Sequence, residues 1–208
     1  MSQIHSRAMI SASARVGSNV RIGPHVVVGD EVELGNGCIV ENHGVLTGPT
    51  RFGRENHFYP FCAIGGTRDL THHGARTWLE TGDANTFREF STVNHGTDEG
   101  GNGTRIGSYN LVMSYAHIAH DCILGNHTLL VNGAQLAGHI HVEDYATVGS
   151  FCHVHECCRI GGHSYITGKY PNHEGCPSIL AHSGAARNSL LRDKLTWASR
   201  SVDSLPSA

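Results

Sequence analysis

An aliphatic or aromatic residue recurs at every sixth position along most of this chain. The series runs Ile10, Val16, Ile22, Val28, Leu34, Val40, Leu46, Phe52, Phe58 and Ile64. It resumes as Ile106, Val112, Ile118, Leu124, Leu130, Leu136, Val142, Val148, Val154, Ile160 and Ile166. This rhythm predicts one short strand and one turn per hexad, with the recurring residue pointing inward. Three hexads then make one triangular coil, and successive coils stack at the ~4.8 Å spacing of paired strands. A repeat sustained over so much of a chain specifies an all-β fold, the parallel β-helix.

Two interruptions and one ending divide the pattern. After Ile64 the run GGTRDLTHHGARTWLE does not fit, and a new register of Thr81, Phe87 and Val93 follows; DEGGNGTR then intervenes before Ile106. Both are expected to be loops thrown out from a rigid prism, where binding groups commonly sit. The glycine after many rhythm positions, as at Gly35 and Gly125, is expected to permit a tight corner. The hexads stop near Lys169, so the helix domain is assigned to residues 1–168 and a short extension to 169–208. In the extension, Leu190, Leu191, Leu195 and Trp197 would form one face of a short helix capping the last coil.

Composition narrows the functional classes. A formal charge of -3, from 15 Lys and Arg against 18 Asp and Glu, leaves no general basic stripe with which to bind nucleic acid. No positive and then apolar leader and no stretch of roughly 20 apolar residues is present, so a cytoplasmic protein without a membrane span is expected. Of seven cysteines, Cys38, Cys62, Cys122, Cys152 and Cys158 fall four residues after a rhythm position, in the slot for small side chains, and are expected to be packed thiols and not bridges. Seventeen histidines are the unusual element, although abundance alone assigns none of them a role.

The segment NLVMSYAHIAHDCILGN brings His117, His120 and Asp121 together. His117 closes its hexad, whereas His120 and Asp121 occupy the next corner, with side chains expected to face a neighbouring subunit or solvent. One full coil separates Asp121 from His139. His117, Gln135 and His153 are spaced the same way, so polar columns are expected on the outside of the prism.

From its start through the segment SILAHSG the chain resembles the UDP-N-acetylglucosamine acyltransferases of lipid A biosynthesis. The stretches that carry the resemblance are IHSRAMIS, RIGPHVVVGDEVELG, RDLTHHG, NLVMSYAHIAHDCILGN and LAGHIHVEDYATVGSF. The resemblance implies a left-handed helix, a homotrimer with active sites between subunits, and direct acyl transfer without covalent intermediate, bound cofactor or metal. The donor would be the acyl-phosphopantetheine of acyl carrier protein, or acyl-coenzyme A, and the acceptor a small-molecule hydroxyl. It also implies that His120 is the general base, Asp121 its orienting partner and the Gly138 N–H the oxyanion donor. His117, His139 and His155 would line the cleft, Asp69 would hold the sugar, Asn188 the nucleotide, and Gly168 would set the depth available to the acyl chain.

The match thins on the acceptor side. Thr71 stands where the family carries a substrate-binding lysine, Asn94 replaces a histidine, and Glu156, itself counted among the substrate-binding positions, replaces a glutamine. Little sequence follows Gly184, so the family's three-helix C-terminal domain is expected to be mostly missing. An acyltransferase of the same fold acting on another hydroxyl or an amine is therefore one alternative. A zinc protein resembling γ-class carbonic anhydrases is a second, although His117 and His120 are three residues apart where that family spaces its pair by five. A non-enzymatic trimeric scaffold is a third.

Overall fold

The computed structural model describes residues 1–67, 76–98, 100–101 and 103–167. The proposed extension 169–208 lies outside these residues, as do Asp69, Thr71, Gly168 and Asn188. The described chain forms 25 short strands in three parallel sheets of nine, eight and eight strands. Each coil visits the three sheets in turn, and each strand pairs with the one a full coil away. The architecture is the expected left-handed parallel β-helix.

The rhythm residues form the core. Ile22, Val28, Leu34, Val40 and Leu46 in the early coils and Val112, Ile118, Leu130, Leu136 and Val148 in the later ones are buried. Ile10, Val16, Val154 and Ile166, nearer the ends of the described helix, are only partly covered. Register follows the coil: Arg21 pairs with Ile39, and Ile22 with Val40, each one regular coil further on, and it shifts at the first insert, where Ile64 pairs with Val93 but Gly66 with Asn94. The inserts lengthen two coils without changing the order of the strands. Phe52 still pairs with Thr81, and Thr81 with Ile106, although each of these steps along the chain is longer than three hexads.

Both inserts leave from the same corner, between the second and third sheets. The first lies between Ala63–Gly66 and Trp78–Thr81, the second between Thr92–Asn94 and Gly103–Ile106. His120 and Asp121 sit at that corner one coil later, between His117–Ile118 and Ile123–Leu124. Thr97 and Gly100 of the second insert are thereby brought beside Asp121.

The corners correct one expectation. Apart from Gly65, with φ of 92°, the glycines that follow rhythm residues are not the residues that turn the chain. The left-handed conformation falls three positions after the rhythm residue, at Asn19, His25, Tyr115, Asp121, His127 and their equivalents, with φ of 55°, 58°, 61°, 58° and 56°. What requires glycine at Gly35 is the next coil: a Cβ there would strike the carbonyl of Gly53, and one at Gly125 would strike the Asp144 carboxylate. These glycines permit coils to stack closely. The left-handed corner residues stack their own side chains, in a column of His25, His43, Phe61, Phe90 and Tyr115 with ring centroids 5.0, 4.9, 5.3 and 4.9 Å apart.

The small-residue slot also contains an internal ladder. Asn56, Asn85 and Asn110 are buried in three consecutive coils. The Asn85 N–H donates to Asn56 Oδ1 and the Asn110 N–H to Asn85 Oδ1, both at 2.9 Å. The Asn85 amide donates in turn to the carbonyls of Gly82 and Gly107. In the same slot Cys38, Cys62, Cys122 and Cys152 are buried free thiols, whereas Cys158, expected to be packed, is exposed beside Cys157. Burial pushes the Cys62 and Cys122 thiols up to about 12.

Replacing Asn85 with Leu would strand the Gly107 carbonyl and the Asn110 N–H, at about 1 to 3 kcal/mol for each unpaired group, while the Gly82 carbonyl would keep its bond from Asn56. The expected result is a lower urea midpoint with an unchanged slope; a midpoint equal to wild type would show that the ladder adds nothing. Alkylation of the native protein followed by mass spectrometry is expected to modify Cys157 and Cys158 while sparing Cys38, Cys62 and Cys122.

Candidate active site

The corner containing His120 and Asp121 is not an open outer edge, as the hexad geometry suggested. His120 is 5% exposed and Asp121 6%. Thr97 and Gly100 of the second insert cover Asp121, and Gly138 and His139 of the next coil cover His120, which the repeat alone does not convey. His120 Nδ1 lies 2.9 Å from Asp121 Oδ2. An ionised carboxylate only accepts hydrogen bonds, so Nδ1 carries the proton and donates. The Nε2 of the same ring is then left as the basic nitrogen.

Asp121 is held by the insert. The Thr97 N–H lies 2.9 Å from Oδ1 and 3.0 Å from Oδ2, and the Thr97 hydroxyl donates to Oδ2 at 2.6 Å. The Asp121 N–H donates to Thr104 Oγ1 at 2.8 Å. A carboxylate withdrawn from water needs such donors to stay ionised. Sequence reasoning missed Thr97 and Thr104. The available signal was positional: Thr97 immediately precedes the second register break and Thr104 lies at its end, one coil before the AHIAHD segment.

Gly138 lies against the other side of His120. A Cβ there would clash with the imidazole, 2.7 Å from Nε2 and closer still to Cε1. The corner's two backbone bonds, from the Ala137 N–H to Val154 O and from the His139 N–H to His120 O, pass on either side of the Gly138 amide. Glycine thus lets the main chain pass directly against the Nε2 side of the histidine.

His139 completes the group. Its ring meets that of His120 edge-on at 5.0 Å and 84°, and its Nε2 lies 4.0 Å from Asp121 Oδ2. His117 is half-buried, its Nδ1 2.7 Å from the Thr92 hydroxyl. Burial and then the nearby His120 hold its basicity below the usual histidine range. His117 stacks in register with Gln135, and Gln135 with His153, as the one-coil spacing predicts. His155 and Glu156 are exposed on a later coil. Asn94 ends the strand that precedes the insert, in register with Gly66.

His120, Asp121 and His139 also present ligand atoms within 4.8 Å of one another. Zinc would need them to converge at about 2.0 to 2.1 Å from one point. Here Oδ2 of Asp121 already accepts from Thr97 and from His120. That donor set suits a histidine that handles protons better than a metal centre.

Comparison with known proteins bears on the fold and the family. The bacterial transferase hexapeptide family (six repeats) matches residues 13–48 and 103–138. The UDP-N-acetylglucosamine acyltransferase of Francisella novicida is 31% identical over 80% of this chain and 67% of its own, with a TM-score of 0.75. The UDP-N-acetylglucosamine O-acyltransferase of Moraxella catarrhalis is 32% identical over 92% of this chain and 77% of its own, with a TM-score of 0.79. The LpxA protein of Acinetobacter baumannii is 33% identical over the same shares, also with a TM-score of 0.79. Among the described residues no helix is long and apolar enough to cross a membrane. With a corresponding fold along most of its length and identity above 30%, the chain belongs to the UDP-N-acetylglucosamine acyltransferase family.

Proposed function

We propose that the protein transfers an acyl chain from an acyl carrier protein thioester to a hydroxyl of UDP-N-acetylglucosamine or a closely similar sugar nucleotide, with His120 as general base. The observation that carries this reading is the buried 2.9 Å pair of His120 Nδ1 and Asp121 Oδ2, set against Gly138 in a chain of this family. The Nε2 of His120 takes the acceptor's hydroxyl proton as that oxygen bonds to the thioester carbon. Asp121 orients the ring and stabilises the imidazolium. The Gly138 N–H donates to the oxyanion of the tetrahedral intermediate. When the carbon–sulfur bond breaks, the departing pantetheine thiolate receives the proton from His120. One proton has then passed from hydroxyl to thiol and one acyl group from sulfur to oxygen, with no change of oxidation state.

His117 and His139 line the approach, and His155 and Glu156 lie further along the same side, where a second subunit of a homotrimer would close the cleft. Asn94 favours a second reading in which the acceptor differs. It stands at the mouth of the second insert, where the resemblance led us to expect a histidine. The same machinery would then acylate another hydroxyl or an amine.

Wild-type protein given acyl carrier protein thioester and UDP-N-acetylglucosamine is expected to release thiol and form an ester. His120→Ala is expected to lose about 10²- to 10⁴-fold in kcat. Equal rates in wild type and variant would remove His120 as the base. If no product forms with UDP-N-acetylglucosamine but one forms with an amino-sugar nucleotide, the second reading holds.

Gly138→Ala is expected to lower kcat at least tenfold while the melting temperature stays near that of His120→Ala, because the added methyl must displace the imidazole. Wild-type turnover in Gly138→Ala would exclude close engagement of that corner with the reacting atoms.

A further inference from the structure

The second insert encloses Asp121 on several sides. Thr97 supplies its amide and its hydroxyl, and Thr104 accepts from the Asp121 amide. Gly100 lies so close over the carboxylate that a Cβ there would overlap it. A loop built to bind substrate would direct polar groups into a cleft. The polar groups at Thr97 and Thr104 are instead directed to one residue of the chain itself.

The way Oδ2 is shared is informative. It accepts from the Thr97 hydroxyl at 2.6 Å and from His120 Nδ1 at 2.9 Å, while the Thr97 amide spans both oxygens. The amide contact opposes rotation of the carboxylate. The hydroxyl withdraws part of the negative charge that would otherwise face the imidazole. Around this pair stand His139, whose Nε2 is 4.0 Å from Oδ2, and His117, whose neutral form is favoured by burial. The adjoining Cys122 thiol, pushed up to about 12, stays uncharged.

We propose that Thr97 is a positioning residue for acyl transfer, its hydroxyl fixing the Asp121 carboxylate so that His120 keeps its proton on Nδ1 and its lone pair on Nε2. The proposal rests on His120 acting as the base. Without the hydroxyl, Oδ2 holds the imidazolium more strongly and is freer to turn toward His139. Protonated His120 then persists to higher pH, and the ring samples unproductive arrangements.

The test compares Thr97→Val, which keeps shape and amide but loses the hydroxyl, with Thr97→Ser, which restores it, and with His120→Ala. Substrates are acyl carrier protein thioester and UDP-N-acetylglucosamine, and each variant is first shown to be folded by its melting curve. Thr97→Val is expected to lose about ten- to a hundredfold in kcat with little change in KM. The acid limb of its rate–pH profile is expected to move to higher pH, and Thr97→Ser is expected to recover both properties. A second readout needs no substrate: the ¹⁵N signals of the imidazoles in the free protein, with His120→Ala identifying the His120 signals. Wild type and Thr97→Ser should show His120 protonated at Nδ1, and Thr97→Val a mixed population.

A Thr97→Val variant with wild-type kcat, acid limb and imidazole signals, beside an inactive His120→Ala, overturns the role of Thr97 and leaves the base in place. Equal impairment of Thr97→Ser and Thr97→Val also overturns it. Full activity in His120→Ala removes the base, and the role proposed for Thr97 in transfer falls with it. In that case the imidazole signals still report whether the hydroxyl sets the tautomer.

Discussion

The described helix depends on each coil closing so that the next coil can hydrogen-bond to it in register. The requirement is costly at the corners. A residue with a side chain in the left-handed region is strained by about 1 to 3 kcal/mol, and the described helix places Asn, His, Glu, Phe, Tyr and Asp there repeatedly. Such strain persists only where surrounding structure over-determines it. Two sources of compensation are visible: parallel backbone bonds on each face, and stacked rings or paired polar groups along each corner. The aromatic column from His25 to Tyr115 is one such compensation, and the column of Tyr109, His127, Tyr145 and His163 is another. His25, His43, His127 and His163 have this structural use.

The same constraint explains where chemistry can arise. A coil that must return to register after three hexads can lengthen only at a corner, since extra residues within a strand would turn inward side chains outward. Both inserts use one corner, in adjacent coils, and the His120–Asp121 pair follows on the next coil. The repeat makes the corner position rigid, and the insert makes it dry. A histidine–carboxylate pair on an uncovered corner would be bathed in water, which weakens charge interactions and lets the rings turn. Under the insert the carboxylate exchanges water for donors supplied by Thr97 and His120.

Legibility in the sequence followed from how local each feature is. Inward residues, strand positions, coil length and both register breaks are periodic, so they can be counted along the chain. The columns of His117, Gln135 and His153 follow from the same count. The approach of Gly138 to His120 follows too, because one full coil separates them. Three expectations fail. Two fail because the deciding neighbour is remote in sequence: the glycines after rhythm residues serve contact with the coil above more than the turn, and the His120–Asp121 corner is buried instead of open. The third is Cys158, which is exposed instead of packed.

Sequence alone therefore determined the prism, its register, and which residues meet at each corner, because a period of six translates directly into inward-facing side chains stacked coil upon coil. Tertiary structure alone decided that His120 and Asp121 are buried and that Thr97 and Thr104 hold them. The insert that does this has no period of its own. Its Thr97 bonds to a carboxylate in the following coil, and such bonds exist only once the coils have stacked.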